Sequence, residues 1–174
     1  MAYCPNINKA IIMTPKTGSN SVRYAMKKLG GYVADGHLPY RELHKRIGEA
    51  GYDADKVEYG VIVRDPIERI VSMFNAYQRG SKYKTLNQLM KCPFMRFPHV
   101  MFVTQAQFLH GIRLKDLKLL RFDTAWDWLG CEEQYQNVGV YKLTLEEIQA
   151  HPDYQKLLDF YDLDFKLWEL AKDD

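Results

Sequence analysis

The sequence predicts an α/β fold, a central parallel sheet flanked by helices, and three features carry that expectation. Three short apolar runs, residues 9–14 (KAIIMT), 57–63 (VEYGVIV) and 117–122 (LKLLRF), read as buried strands. The first two end at a sharp turn that opens onto residues with helical spacing, and a short helix follows the third. The intervening stretches are long enough for crossovers, which makes neighbouring strands parallel. With 174 residues, 47% of them hydrophobic, and no repeat or Gly/Ser-rich linker, residues 1–174 are expected to form one domain.

Each element has a local reason. After the first run, Val22, Met26 and Leu29 recur at i, i+4 and i+7, and Gly30-Gly31 stops the helix. Residues 39–50 read as a more polar helix. The second run delivers Arg64-Asp65-Pro66, where Asp65 can cap, Pro66 suits the first helical position and Glu68 completes a capping box. Ile67, Ile70, Val71 and Phe74 continue as a helical stripe. Residues 104–110 and 124–129 read as short helices. The tail from Leu145 is helical, broken at His151-Pro152, with Leu157, Tyr161, Phe165 and Trp168 along one side.

Charge is uneven although the net value is only +2. Residues 69–115 contain no Asp or Glu, whereas residues 123–174 hold thirteen acids against four lysines, so the middle suits an anion. A solvated basic face accounts for the same pattern equally well. Cys4, Cys92 and Cys131 are odd in number and scattered, which argues against a disulfide framework or a zinc site. No apolar run reaches the roughly 20 residues of a membrane span, and residues 1–8 lack a signal-peptide pattern. A soluble, cytoplasmic chain is expected, with no membrane or nucleic-acid partner.

Two turns draw attention because ligands of parallel sheets bind beyond the carboxyl ends of the strands. Pro15-Lys16-Thr17-Gly18-Ser19-Asn20-Ser21 leads from a strand straight into a helix. Gly18 permits close backbone approach, the helix N-terminus attracts anions, and Lys16 with the hydroxyls of Thr17, Ser19 and Ser21 adds donors. The nucleotide-binding P-loop is the nearest familiar pattern, but here the first glycine is missing and Lys precedes Gly. An ordinary turn capped by Ser19 or Asn20 is the plain alternative.

Residues 15–22 (PKTGSNSV) resemble the 5′-phosphosulfate loop of sulfotransferases that use 3′-phosphoadenosine 5′-phosphosulfate (PAPS). Residues 61–74 (VIVRDPIERIVSMF) resemble the second signature of that family, with Arg64 and Ser72 at matching spacing. The run Gly36-His37-Leu38-Pro39-Tyr40-Arg41-Glu42-Leu43 looks like the segment between the signatures in carbohydrate sulfotransferases. Gln107-Phe108-Leu109 and then Leu119-Leu120-Arg121-Phe122-Asp123 look like their third-strand region. The resemblance implies a three-layer, P-loop-like fold. It implies that Lys16, Thr17, Gly18, Ser19, Asn20 and Ser21 hold the 5′-phosphosulfate and that Arg64 and Ser72 bind the 3′-phosphate; Arg69 also matches the pattern but reads as structural, pairing with a neighbouring acid.

The activity implied is transfer of a sulfuryl group from PAPS to an acceptor hydroxyl, on a carbohydrate or small molecule. Adenosine 3′,5′-bisphosphate would be released and no metal required. His37 is the candidate general base, its ordinary pKa near 6.5 suiting the role, with Asp35 as an outside candidate. Lys16 would also be catalytic, at the departing oxygen. Met90, Met95 and Met101 with Phe94, Phe97 and Phe102 would wall the acceptor, and an aromatic from residues 77–97 would meet adenine. Without an anchor or disulfide pattern, a bacterial or viral cytoplasmic setting is implied, the host cytoplasm in the viral case. A P-loop-type nucleotide kinase needing magnesium and a non-catalytic binder of nucleotide or anions remain the alternatives.

Overall fold

The computed structural model describes residues 2–33, 36–77, 85–91, 102–133 and 143–172. Among them, β1 (Ala2–Cys4), β2 (Lys9–Ile12), β3 (Tyr32–Val33), β4 (Glu58–Ile62) and β5 (Leu117–Leu120) form one sheet in the order β3-β1-β2-β4-β5. The three strands expected from sequence are its parallel part, with Ile12 opposite Val61 and Ile62 opposite Leu120. The expected parallel sheet holds for these three strands, and the sheet as a whole is mixed, because β1 runs antiparallel to both β2 and β3. A 3-10 turn at Pro5–Ile7, closed by Asn8 at φ +51°, reverses the chain between β1 and β2. Strands of three and two residues are too short to show an alternating pattern, so neither is legible from periodicity.

Period-two alternation assigns the side chains to two faces. Ala10, Ile12, Tyr59, Val61, Val63, Leu117 and Leu119 fill one face. Leu43 and Ile47 of α2 (Tyr40–Glu49) cover it, with Phe108 of α5 (Gln105–Phe108). Ile11, Met13, Ile62 and Leu120 fill the other, against Val22, Ala25 and Met26 of α1 (Ser19–Lys28). The segment α6 (Ala125–Leu129) adds Trp126 and Leu129 to that side. Each such aliphatic side chain contributes about 1.5–3 kcal/mol by leaving water.

A third cluster joins Ile70 and Met73 of α3 (Pro66–Tyr77) to Met90 of α4 (Leu86–Lys91) and Ile148 of α7 (Leu145–Gln149). Leu157 of α8 (Tyr154–Phe160) completes it with Phe102 and Tyr161. The chain breaks again at Tyr161, so α9 (Asp162–Leu170) turns and places Leu167 and Ala171 in the first face's core. The single stripe expected for the tail is thereby split: Leu157 and Tyr161 are buried, Phe165 and Trp168 only half-buried. Met90 and Phe102 are core residues, the latter receiving the Tyr161 hydroxyl on its carbonyl at 2.8 Å, which corrects their assignment to an acceptor wall. Met95, Met101, Phe94, Phe97 and most of the proposed adenine region lie outside the described residues, as does Asp35.

The helices that follow adjacent strands β2 and β4 go to different places. Helix α1 packs on the second face, while α3 packs beside α9, which covers the first. A divergence of this kind opens a crevice at the carboxyl ends of the two strands. Among the described residues no helix is long and apolar enough to cross a membrane.

Candidate anion-binding site

Both turns chosen from sequence lie at the carboxyl edge of β2 and β4. In the first, Lys16 adopts φ +65° and Gly18 φ +89°, so two left-handed residues stand in close succession. For a lysine that conformation costs about 1–2 kcal/mol, and such strain collects at functional turns. Alternating handedness turns backbone amides to one side and makes a concave anion nest. The first backbone bond of α1 runs from Val22 N–H to the Gly18 carbonyl, and Gly18 supplies no capping side chain for the amides of Ser19 and Asn20. An anion is the natural partner for such a helix start.

Glycine at position 18 has a second reason. A Cβ there would clash with Cε2 of Phe122, so the ring that follows β5 occupies the space a side chain would need. Phe122 in turn packs edge-on against Trp126, with centroids 5.0 Å apart.

The loop hydroxyls are largely committed to the loop. Thr17 Oγ1 donates to the Thr14 carbonyl at 3.0 Å, and Ser19 Oγ donates to the same oxygen at 3.0 Å. Thr17 and Ser21 are buried, and Asn20 is exposed with its side-chain oxygen accepting from Arg23 Nη1 at 3.2 Å. The hydroxyls of Thr17 and Ser19 thus help to hold the shape of the turn.

The second turn begins as expected. Asp65 Oδ1 accepts from the amides of Ile67 (2.8 Å) and Glu68 (3.0 Å), capping α3 behind Pro66. Arg64 Nη1 donates to the Lys16 carbonyl at 3.3 Å, and Arg64 Nε donates to Glu68 Oε2 at 3.3 Å. Ser72 is half-buried on α3, four residues beyond Glu68 and so on the same helix face.

His37 reaches the same edge from the β3–α2 connection. Its Nδ1 lies 3.0 Å from the Met13 carbonyl, one residue beyond β2. A carbonyl only accepts, so Nδ1 carries the proton and Nε2 keeps its lone pair. Burial pushes the His37 pKa below its ordinary value; the Met13 bond opposes this, and the charges of Arg23 and Lys16 reinforce it. Arg23 Nη2 donates to the Gly36 carbonyl at 3.1 Å, fastening the histidine's loop to α1. Lys16, Arg64 and His37 are thus gathered at one sheet edge.

Arg69 is structural, as expected. It is fully buried, donates to the Val103 carbonyl at 3.1 Å and approaches Asp164 Oδ2 at 3.5 Å. Three residues of the site were not singled out from sequence: Gln105, whose side chain meets the Arg64 backbone; Arg23; and Phe122 in its contact with Gly18. Only the Thr104 capping box hints at the first, by marking a helix start there. No group of three or more His, Cys, Asp or Glu side chains among the described residues is placed to hold a metal.

No family model matches the chain, and no curated protein or solved structure matches it.

Proposed function

We propose that the chain is a sulfotransferase with a P-loop-like, three-layer core, acting on a hydroxyl of a carbohydrate or small molecule. The observation that carries this reading is the convergence just described. Arg64 touches the Lys16 carbonyl, and His37 is fixed to the Met13 carbonyl at the root of the same loop. Residues separated by tens of positions, each expected on sequence grounds to serve one step, share one edge.

The donor set fits PAPS. Its phosphates are polyanionic, and the edge offers a guanidinium, an ammonium and first-turn amides. Bound there, PAPS would supply the sulfuryl group and leave as adenosine 3′,5′-bisphosphate. The cradle of residues 16–21 would hold the 5′ end, and Arg64 with Ser72 the 3′-phosphate. His37 Nε2, unprotonated at neutral pH, would take the proton of the acceptor hydroxyl as its oxygen bonds to sulfur. Lys16 would stabilise negative charge on the departing phosphate oxygen.

Calorimetric titration tests the reading. Micromolar binding of adenosine 3′,5′-bisphosphate, at least about 10-fold tighter than 5′-AMP, is expected. No binding of the bisphosphate would sink the proposal, and tight binding of ATP–magnesium instead would favour a kinase.

A further inference from the structure

Arg64 stands just beyond the last ladder bond of β4, in which Val63 N–H donates to the Leu120 carbonyl at 2.8 Å. The next pair of backbone groups is satisfied by a side chain. Arg64 N–H donates to Gln105 Oε1 at 3.1 Å, and Gln105 Nε2 donates to the Arg64 carbonyl at 2.9 Å. Gln105 therefore imitates one residue of a neighbouring strand. The two contacts agree on the orientation of its amide, because one partner only donates and the other only accepts.

Gln105 is fully buried, and it is itself held. Asp164 of α9 accepts from the amides of Gln105 (2.8 Å) and Ala106 (2.9 Å), capping α5 from a distance. The Asp164 carboxylate faces Arg69, which also lies over the Tyr161 ring at 5.3 Å. Packing three polar side chains into a core is a poor route to stability, since apolar replacements of similar volume often do as well. What the arrangement does supply is direction. It fixes both peptide groups of the residue whose guanidinium reaches the Lys16 loop.

We propose that Gln105, anchored by Asp164, is a positioning residue that aims Arg64 across the crevice and so sets preference for a 3′-phosphorylated nucleotide. The identity of the ligand rests on the function proposed above; the alignment of Arg64 rests on the contacts of Gln105.

The experiment compares calorimetric titrations of the full chain and its variants with adenosine 3′,5′-bisphosphate and with 5′-AMP. Gln105→Leu keeps the approximate volume and removes both bonds. It should weaken the bisphosphate about 10-fold or more while changing 5′-AMP affinity by less than about twofold. Gln105→Glu, which keeps the acceptor for Arg64 N–H and loses the donor, should fall between. If Gln105→Leu melts at lower temperature yet keeps the wild-type preference, the residue merely fills the core and the proposal fails. Should that variant not fold, Asp164→Asn provides the same comparison, with a partial loss of preference expected and an unchanged preference counting against the proposal. Wild-type protein that binds neither nucleotide would overturn the functional reading, and the assignment to 3′-phosphate recognition with it. Wild-type preference that survives both substitutions would overturn the positioning role alone.

Discussion

Arg64 and Lys16 meet through an unusual division of labour: the arginine side chain donates to the lysine's backbone carbonyl, at 3.3 Å, and leaves the ammonium out of the contact. The left-handed conformation of Lys16 belongs to the same turn. One strained residue thus presents an acceptor to the second signature turn, and a single guanidinium ties β2 to β4 at their carboxyl ends.

Arg64→Ala should weaken adenosine 3′,5′-bisphosphate by about 1.5–3 kcal/mol, the range of a lost charge-assisted contact. Titration of the variant checks this, and wild-type affinity would remove Arg64 from the site.

Glu68 holds Arg64 Nε in a half-exposed pair, so an incoming phosphate competes with it. Glu68→Gln should tighten bisphosphate binding about two- to fivefold, the modest scale of a surface ion pair. Weaker binding would mean that the carboxylate organises Arg64 more than it obstructs it.

His37→Ala should slow transfer about 100-fold or more with nucleotide affinity nearly intact. The pH profile carries the sign. Burial first, then the charges of Arg23 and Lys16, hold the imidazole pKa below 6.5. The base therefore stays unprotonated as pH falls to 6.5, and kcat/KM should drop only on the acid side of that value. In Arg23→Ala the acid limb should move upward, and an unmoved limb would separate it from His37.

Lys16→Gly separates fold from chemistry. Relief of about 1–2 kcal/mol of left-handed strain is about half offset by the roughly 0.5–1 kcal/mol entropic cost of glycine, so the fold should be retained and melt slightly higher. Transfer should fall about 100-fold, with a smaller loss of nucleotide affinity. An affinity loss as large as the rate loss would make Lys16 an anchor only.

Gly18→Ala should destabilise the protein by about 2–4 kcal/mol, since it adds left-handed strain to a clash with the Phe122 ring. Phe122→Leu in the same chain should recover part of the loss. Strict additivity in urea denaturation would deny the contact.

The sequence made some of this legible and hid the rest for physical reasons. β2, β4 and β5 are apolar runs closed by turn residues, and Asp65-Pro66 marks the start of α3 by capping chemistry alone. The candidate residues Lys16, Arg64 and His37 could be named because their turns carry recognisable residue orders. Ala2–Cys4 and Tyr32–Val33 left no trace, because their pairing is decided by a reversed connection and an edge position rather than by pattern. Gln105 was invisible as well. Its importance arises from a partner 41 residues away, and nothing in the run around it distinguishes it from any polar residue opening a short helix. The hydroxyls of Thr17 and Ser19 have a part that composition does not show, since both donate to the Thr14 carbonyl within the loop.

The contact between Phe122 and Gly18 bears on how the protein is made. During synthesis the first loop emerges early, yet the ring that fills the space beside it belongs to a segment translated about a hundred residues later. Asp164 comes later still. A nascent chain carrying only β2 and α1 has the residues of the cradle without the wall behind it or the cap on α5. Ribosome-bound intermediates should accordingly mature late, acquiring resistance to proteolysis at the loop only after α9 has left the exit tunnel.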